Sequence, residues 1–212
     1  MLLAQDLEAG RGAKTVARVG RLNVEAGQAA LLVGPSGAGK STLLLALAGL
    51  AHTVRGSAWI DRTDVLALRG AALDRFRGRH IGFVFQDIHL LPGLSTLDNL
   101  LLAPFAAGAP QDRARARGLL DALGVGDKAD RPAERLSRGE AQRAAIARAM
   151  LLKPKLILAD EPTASLDDAA AQVVADLLLD AAAQTGAALV IATHDGRIKA
   201  RIRNQVPVEA IA

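Results

Sequence analysis

The chain has 212 residues, of which 50% are hydrophobic, 23% charged and 2% aromatic, with a formal net charge of +4 and no cysteine. That length suits one large domain with one core, and the missing cysteines exclude a disulfide framework, a thiolate metal site and a thiol nucleophile. The longest near-continuous apolar stretch, Leu43 to Ala51, falls far below the ~20 residues that span a bilayer, and the start Met1-Leu2-Leu3-Ala4 has no basic flank of a signal peptide, so a soluble, cytoplasmic protein is expected.

From Met1 to Ala30 short apolar alternations such as Leu22 and Val24, then Ala29 to Val33, predict strands separated by glycine turns at Gly10, Gly12, Gly20 and Gly27. A glycine-rich segment follows, and then Leu43 to Leu50, rich in strong helix formers. Ala58 to Ile60 and Ile81 to Phe85 read as further strands. Two arginine clusters, Arg69, Arg75, Arg77, Arg79 and Arg113, Arg115, Arg117, read as solvated helix faces. With so few aromatic rings for base stacking, no nucleic-acid partner is expected. From Leu94 to Met150 the pattern is helical, broken at Pro104, Gly108, Pro110, Gly124, Gly126 and Pro132. Leu156 to Ala159 and Ala187 to Ala192 are wholly apolar runs of the kind buried on both faces of a parallel sheet, with a helix between them at Ala169 to Ala183. The alternation predicts an α/β fold, with helices on the faces of a mostly parallel sheet.

Gly34-Pro35-Ser36-Gly37-Ala38-Gly39-Lys40-Ser41 fits the phosphate-loop pattern of Gly, four free positions, Gly, Lys and Ser or Thr, and lies between a strand and a helix. Glycines let the backbone curl so that successive N–H groups face phosphate oxygens, and the helix beginning there adds its positive end. Lys40 is expected to reach the β and γ phosphates, Ser41 to ligate magnesium, and Thr42 to complete the phosphate-binding set. Such a site also needs a hard carboxylate for the metal and a group that orients water. Asp160 and Glu161, at the end of the run from Leu156, are the candidates: Asp160 for magnesium, Glu161 as general base.

Leu136-Ser137-Arg138-Gly139-Glu140-Ala141-Gln142-Arg143 resembles the signature segment of the ABC ATPases, opening a helix read as Ala141 to Leu152. Ser137 with Glu140 three positions on also reads as a capping box, which uses the same helix end. Other resemblances follow in the family's order. Gln86 resembles the glutamine loop and would approach the metal; Ser165-Leu166-Asp167 resembles the loop that links two subunits; His194 resembles the switch histidine. The resemblance extends to about Ile202. It implies a P-loop NTPase with a RecA-like core, an N-terminal antiparallel β subdomain and a helical subdomain over residues 88–150 of a single domain, 1–212. It implies catalysis by Glu161, His194, Lys40 and Gln86, and a dimer whose two ATP molecules lie between the phosphate loop of one subunit and Ser137, Gly139 and Glu140 of the other. The second subunit is another copy or a similar ATPase. The expected partner is an integral membrane permease, placing the chain on the cytoplasmic face of the inner membrane. Gly82 to Leu100 looks most like the lipoprotein-release and macrolide-export ATPases. The competing expectation is a soluble ABC ATPase acting on ribosomes or DNA.

Two departures stand out. No Phe, Trp or Tyr precedes Trp59, so the aromatic that usually stacks on adenine is missing, and Arg11 or Arg18 is the candidate substitute. Arg138 stands where the signature more often has glycine, and is expected to face solvent.

Overall fold

The computed structural model describes residues 1–11, 14–164 and 166–211. Strands β1 (Leu2–Arg11) and β2 (Lys14–Val24) pair antiparallel and bury Leu2 and Ala4 on the first and Val19, Leu22 and Val24 on the second. They are longer than glycine punctuation predicts, because Gly10 and Gly20 lie inside them; Gly27, at φ +74°, does make a turn, and Gly12 lies outside the described residues. Cross-strand pairing outweighs the weak strand preference of glycine here, and a Cβ on Gly10 would sit 2.7 Å from the Lys14 carbonyl oxygen.

Strand β3 (Ala29–Val33) runs into the glycine-rich loop, and helix α1 (Lys40–Leu47) leaves it. The helix begins three residues earlier than its leucines suggest and stops before Gly49, whose φ of +67° turns the chain. Then come β4 (His52–Ile60), β5 (Thr63–Asp64), α2 (Gly70–His80) and β6 (Ile81–Val84). The Ser95 hydroxyl caps α3 (Thr96–Ala106), and Asp112 caps α4 (Arg113–Ala122). A capping box at Ser137 and Glu140 opens α5 (Arg138–Met150). After β7 (Leu156–Asp160), Asp167 caps α6 (Asp168–Thr185), which ends at the left-handed Gly186. The chain closes with β8 (Ala188–Ala192), α7 (Gly196–Lys199), β9 (Asn204–Pro207) and β10 (Glu209–Ala210).

Two five-stranded sheets result. One has the order β10-β2-β1-β4-β5 and antiparallel pairing; the other has the order β6-β7-β8-β3-β9, parallel throughout. Because side chains alternate along a strand, each central strand feeds two cores. Leu32, Leu158 and Val190 join α1 and the antiparallel sheet on one side; Leu31, Ile157 and Leu189 join the helices α3 to α6 on the other. The apolar runs of β7 and β8 follow from this burial on both faces. Several cluster arginines pair with acids, Arg77 with Asp74 at 2.6 Å and Arg117 with Asp130 at 2.7 Å, exposed contacts that lend little stability.

Candidate active site

All three segments that carry the expected chemistry leave the carboxyl ends of adjacent parallel strands. The loop 34–39 follows β3, Asp160 and Glu161 end β7, and His194 follows β8, with β8 lying between β7 and β3. That edge is where open α/β sheets bind ligands. A cleft of about 640 Å³ opens there, lined by Ser36, Gly37, Gly39, Lys40, Ser41, Thr42, Gln86, Asp160, Glu161, Ala164, His194 and Val16.

The loop is shaped for a close anionic ligand. Gly37 and Gly39 have φ of +79° and +84°, and a Cβ on Gly39 would stand 2.5 Å from the Ala17 Cβ of the other sheet. Gly39 caps α1 without a side-chain hydrogen bond, leaving the helix N-terminal amides to face the cleft. Lys40 is buried, yet its ammonium donates to the carbonyl oxygens of Gly34 (2.9 Å) and Pro35 (3.0 Å) and to Nε2 of His194 (3.1 Å). Those three acceptors keep a buried cation satisfied.

Opposite the lysine, Ser41 Oγ donates to Asp160 Oδ1 at 2.9 Å. Burial pushes the Asp160 carboxyl above its ordinary range, the Ser41 hydrogen bond and the Lys40 charge pull it back, and neighbouring Glu161 adds to the rise. Glu161 has φ of +42°, a left-handed conformation that costs a non-glycine residue about 1–3 kcal/mol. The Glu161 amide donating to Ala192 O (2.8 Å) holds it there. Its carboxylate accepts from Thr193 Oγ1 (2.7 Å) and the His194 amide (3.2 Å). The acid pair thus divides its work, one oxygen set facing the serine and lysine and the other facing the β8 loop.

A magnesium ion fits this donor set. A carboxylate, a hydroxyl and the exposed Gln86 amide are hard oxygen donors, and magnesium takes few protein ligands, completing its shell with water and phosphate.

The signature segment does not join this cleft. Among the described lining residues none comes from 136–143. Ser137 stands exposed at the start of α5, its backbone amide donating to Glu140 Oε2 (2.7 Å) and its hydroxyl accepting from the Glu140 amide (3.3 Å). The hydrogen bond from the Ser137 amide holds the Glu140 carboxyl below its usual range. The same helix end that the expected nucleotide contact would use is closed here by a capping box. Arg138 is exposed, as expected.

At the adenine end the sequence offers Arg11 or Arg18. The Arg18 guanidinium lies 3.3 Å from Asp6 Oδ1 and 4.0 Å from Glu8 Oε1, paired within its own sheet. The side chain of Arg11 and all of Ser165 lie outside the described residues. The described wall of the cleft on this side is Val16 of β2, a residue that no sequence signal marked. Thr193 was also missed, though it directly precedes His194.

The sequence profile of the ABC transporter family matches residues 19–164. The chain belongs to the ABC transporter family. Among curated members, the lipoprotein-releasing system ATP-binding protein LolD 2 of Rhodospirillum rubrum is 45% identical over 84% of this chain and 79% of that protein. The macrolide export ATP-binding/permease protein MacB of Rhodopirellula baltica is 41% identical over 84% of this chain and 26% of that protein. A dimeric ATP-binding cassette solved in a post-hydrolysis state with ADP and Pi superposes with a TM-score of 0.83 and 29% identity, covering 100% of this chain and 99% of that one. The fold is that of an ABC cassette, and the chain is an ATP-binding, ATP-hydrolysing ABC transporter subunit. Among the described residues, no helix of this ABC subunit is long and apolar enough to cross a membrane.

Proposed function

We propose that this ABC subunit powers a separate membrane permease by closing and opening an ATP-sandwich dimer, and that the permease releases or exports lipophilic envelope substrates. One observation carries the dimer: Ser137 and Gly139 stand at a helix N-terminus outside their own chain's cleft, suited to the phosphate of a nucleotide held by a second copy. The solved relative bound to ADP and Pi is itself dimeric.

In this reading the whole chain, 1–212, is one ABC ATPase domain with residues 88–150 as its helical subdomain. Lys40 and the amides of Gly34 to Thr42 hold the triphosphate. Ser41, Asp160 and Gln86 would hold magnesium, whose charge would offset developing phosphate charge. Glu161 takes a proton from the attacking water, and His194 contacts the γ phosphate once Lys40 turns to it. Catalysis is mostly placement and electrostatics, which the preformed loop supplies.

The permease reading is supported by a second cavity, about 370 Å³, whose floor is Phe83 and Phe85 and whose walls include Leu50, Leu102, Arg79 and Arg148. It lies directly beside Gln86, so an inserted permease element would press on the segment that reaches the nucleotide. The names of the relatives, lipoprotein-releasing and macrolide-export proteins, support the substrate class. The chain would then work on the cytoplasmic face of the inner membrane. Affinity purification from detergent-solubilised membranes tests this: an integral membrane protein should co-purify and be lost with Phe85→Asp. Recovery of ribosomes or DNA without any membrane protein overturns the reading.

A further inference from the structure

We propose that Thr193 is a positioning residue for ATP hydrolysis, holding the Glu161 carboxylate in the orientation from which it activates water. The proposal rests on the assignment of Glu161 as general base. Thr193 is 5% exposed, and both functions of its hydroxyl are committed. The oxygen accepts from the Asp195 amide at 3.1 Å, and the single proton is left for Glu161 Oε2 at 2.7 Å. A β-branched side chain has few χ1 options, so the donor stays aimed.

Glu161 needs such a guide. Its backbone leaves β7 at φ +42°, and its long side chain would otherwise sample several rotamers in an open cleft. The His194 amide supplies a second donor from the same loop, at 3.2 Å. Thr193 is itself fixed through Asp195, whose carboxylate accepts from Thr163 Oγ1 at 2.7 Å and from Arg197 Nη2 at 2.7 Å. Arg197 also pairs with Asp168 in the first turn of α6. The aim of the general base is thereby tied to the start of α6, which directly follows the segment expected to face the second subunit.

The test is steady-state ATP hydrolysis and ATP affinity for Thr193→Val, Thr193→Ser and Glu161→Gln, alone and combined. Thr193→Val keeps the shape and removes the donor. It is expected to lower kcat about 10- to 100-fold, the cost of a misplaced reacting group, with unchanged ATP affinity. Thr193→Ser should restore most of the rate. In the Glu161→Gln background, Thr193→Val should have no further effect, since its action runs through that carboxylate. An undiminished kcat in Thr193→Val, failure of serine to rescue, or an equal loss in the Glu161→Gln background overturns the positioning role. If Glu161→Gln hydrolyses at the wild-type rate, the base assignment falls and the proposal with it; if Glu161→Gln is inactive and Thr193→Val is not, only the proposal falls.

Discussion

Ser41 and Asp160, 119 positions apart in the sequence, share a 2.9 Å hydrogen bond across the cleft. The bond joins the first turn of α1 to the end of β7 and brings together two of the groups proposed to hold magnesium. Because burial raises the Asp160 carboxyl, the folded chain holds that proton more tightly than the unfolded chain. Ionised Asp160 therefore costs stability at neutral pH, and the cost lifts as pH falls from the raised value toward 3.8. Asp160→Asn is expected to melt higher than wild type at pH 7 without nucleotide, with the gap closing in acid. The same change should weaken magnesium-dependent ATP binding at least about 10-fold. Calorimetric melting and titration with and without magnesium check both signs.

Glu161→Gln should bind ATP with magnesium normally and lose hydrolysis by roughly 10²- to 10⁴-fold, since only proton abstraction is removed. The unhydrolysed complex should accumulate as a dimer, read by sedimentation. A variant that stays monomeric at saturating ATP counts against the sandwich.

Lys40 reaches the carbonyls of Gly34 and Pro35 and the His194 ring at the same time. Its removal in Lys40→Ala takes away a charge-assisted contact worth about 1.5–3 kcal/mol, so ATP affinity should fall about 10- to 100-fold. His194→Ala should leave affinity nearly intact and slow turnover. Equilibrium binding beside single-turnover hydrolysis separates the two effects.

Gly37 and Gly39 form an internal comparison. Both have left-handed φ, at +79° and +84°, but a Cβ on Gly37 meets open space while one on Gly39 collides with Ala17. Gly37→Ala should cost about 1 kcal/mol of strain alone. Gly39→Ala should cost more and reduce ATP binding as well, because relief of the collision moves the loop. Chemical denaturation and ATP titration of the two variants give the ranking.

The guanidinium of Arg197 holds the Asp195 carboxyl at about 2, below its ordinary 3.8. A depressed carboxyl contributes stability that is complete above its unfolded value and lost as pH falls toward the folded one. Asp195→Asn should therefore lower stability at neutral pH and flatten the acid limb between about pH 4 and 2. Denaturation midpoints across that range provide the measurement.

The sequence by itself determined the local chemistry. The loop from Gly34 to Ser41, the acids after Leu156-Ile157-Leu158-Ala159 and the cap at Ser137 were all legible, because each needs particular residue types at short spacing: glycine for left-handed turns, an apolar run for a strand buried on two faces, a serine and a glutamate three apart. The helix boundaries followed to within a few residues for the same reason. Elsewhere the signal was weak. β9 and β10 lie at sheet edges, where Asn204, Gln205 and Pro207 face few neighbours and leave no apolar pattern. Gly10 and Gly20 read as turns, yet they lie inside β1 and β2, which pair with each other and also with β4 and β10. Only the tertiary structure decided that Arg18 lies beside Asp6 and Glu8 and that the Thr193 hydroxyl reaches Glu161. It also decided that Ser137 stands apart from the phosphate loop that follows β3. These depend on which distant backbone ends a buried parallel sheet brings side by side, and a hydrogen bond is decided by tenths of an ångström between residues that sequence spacing leaves free.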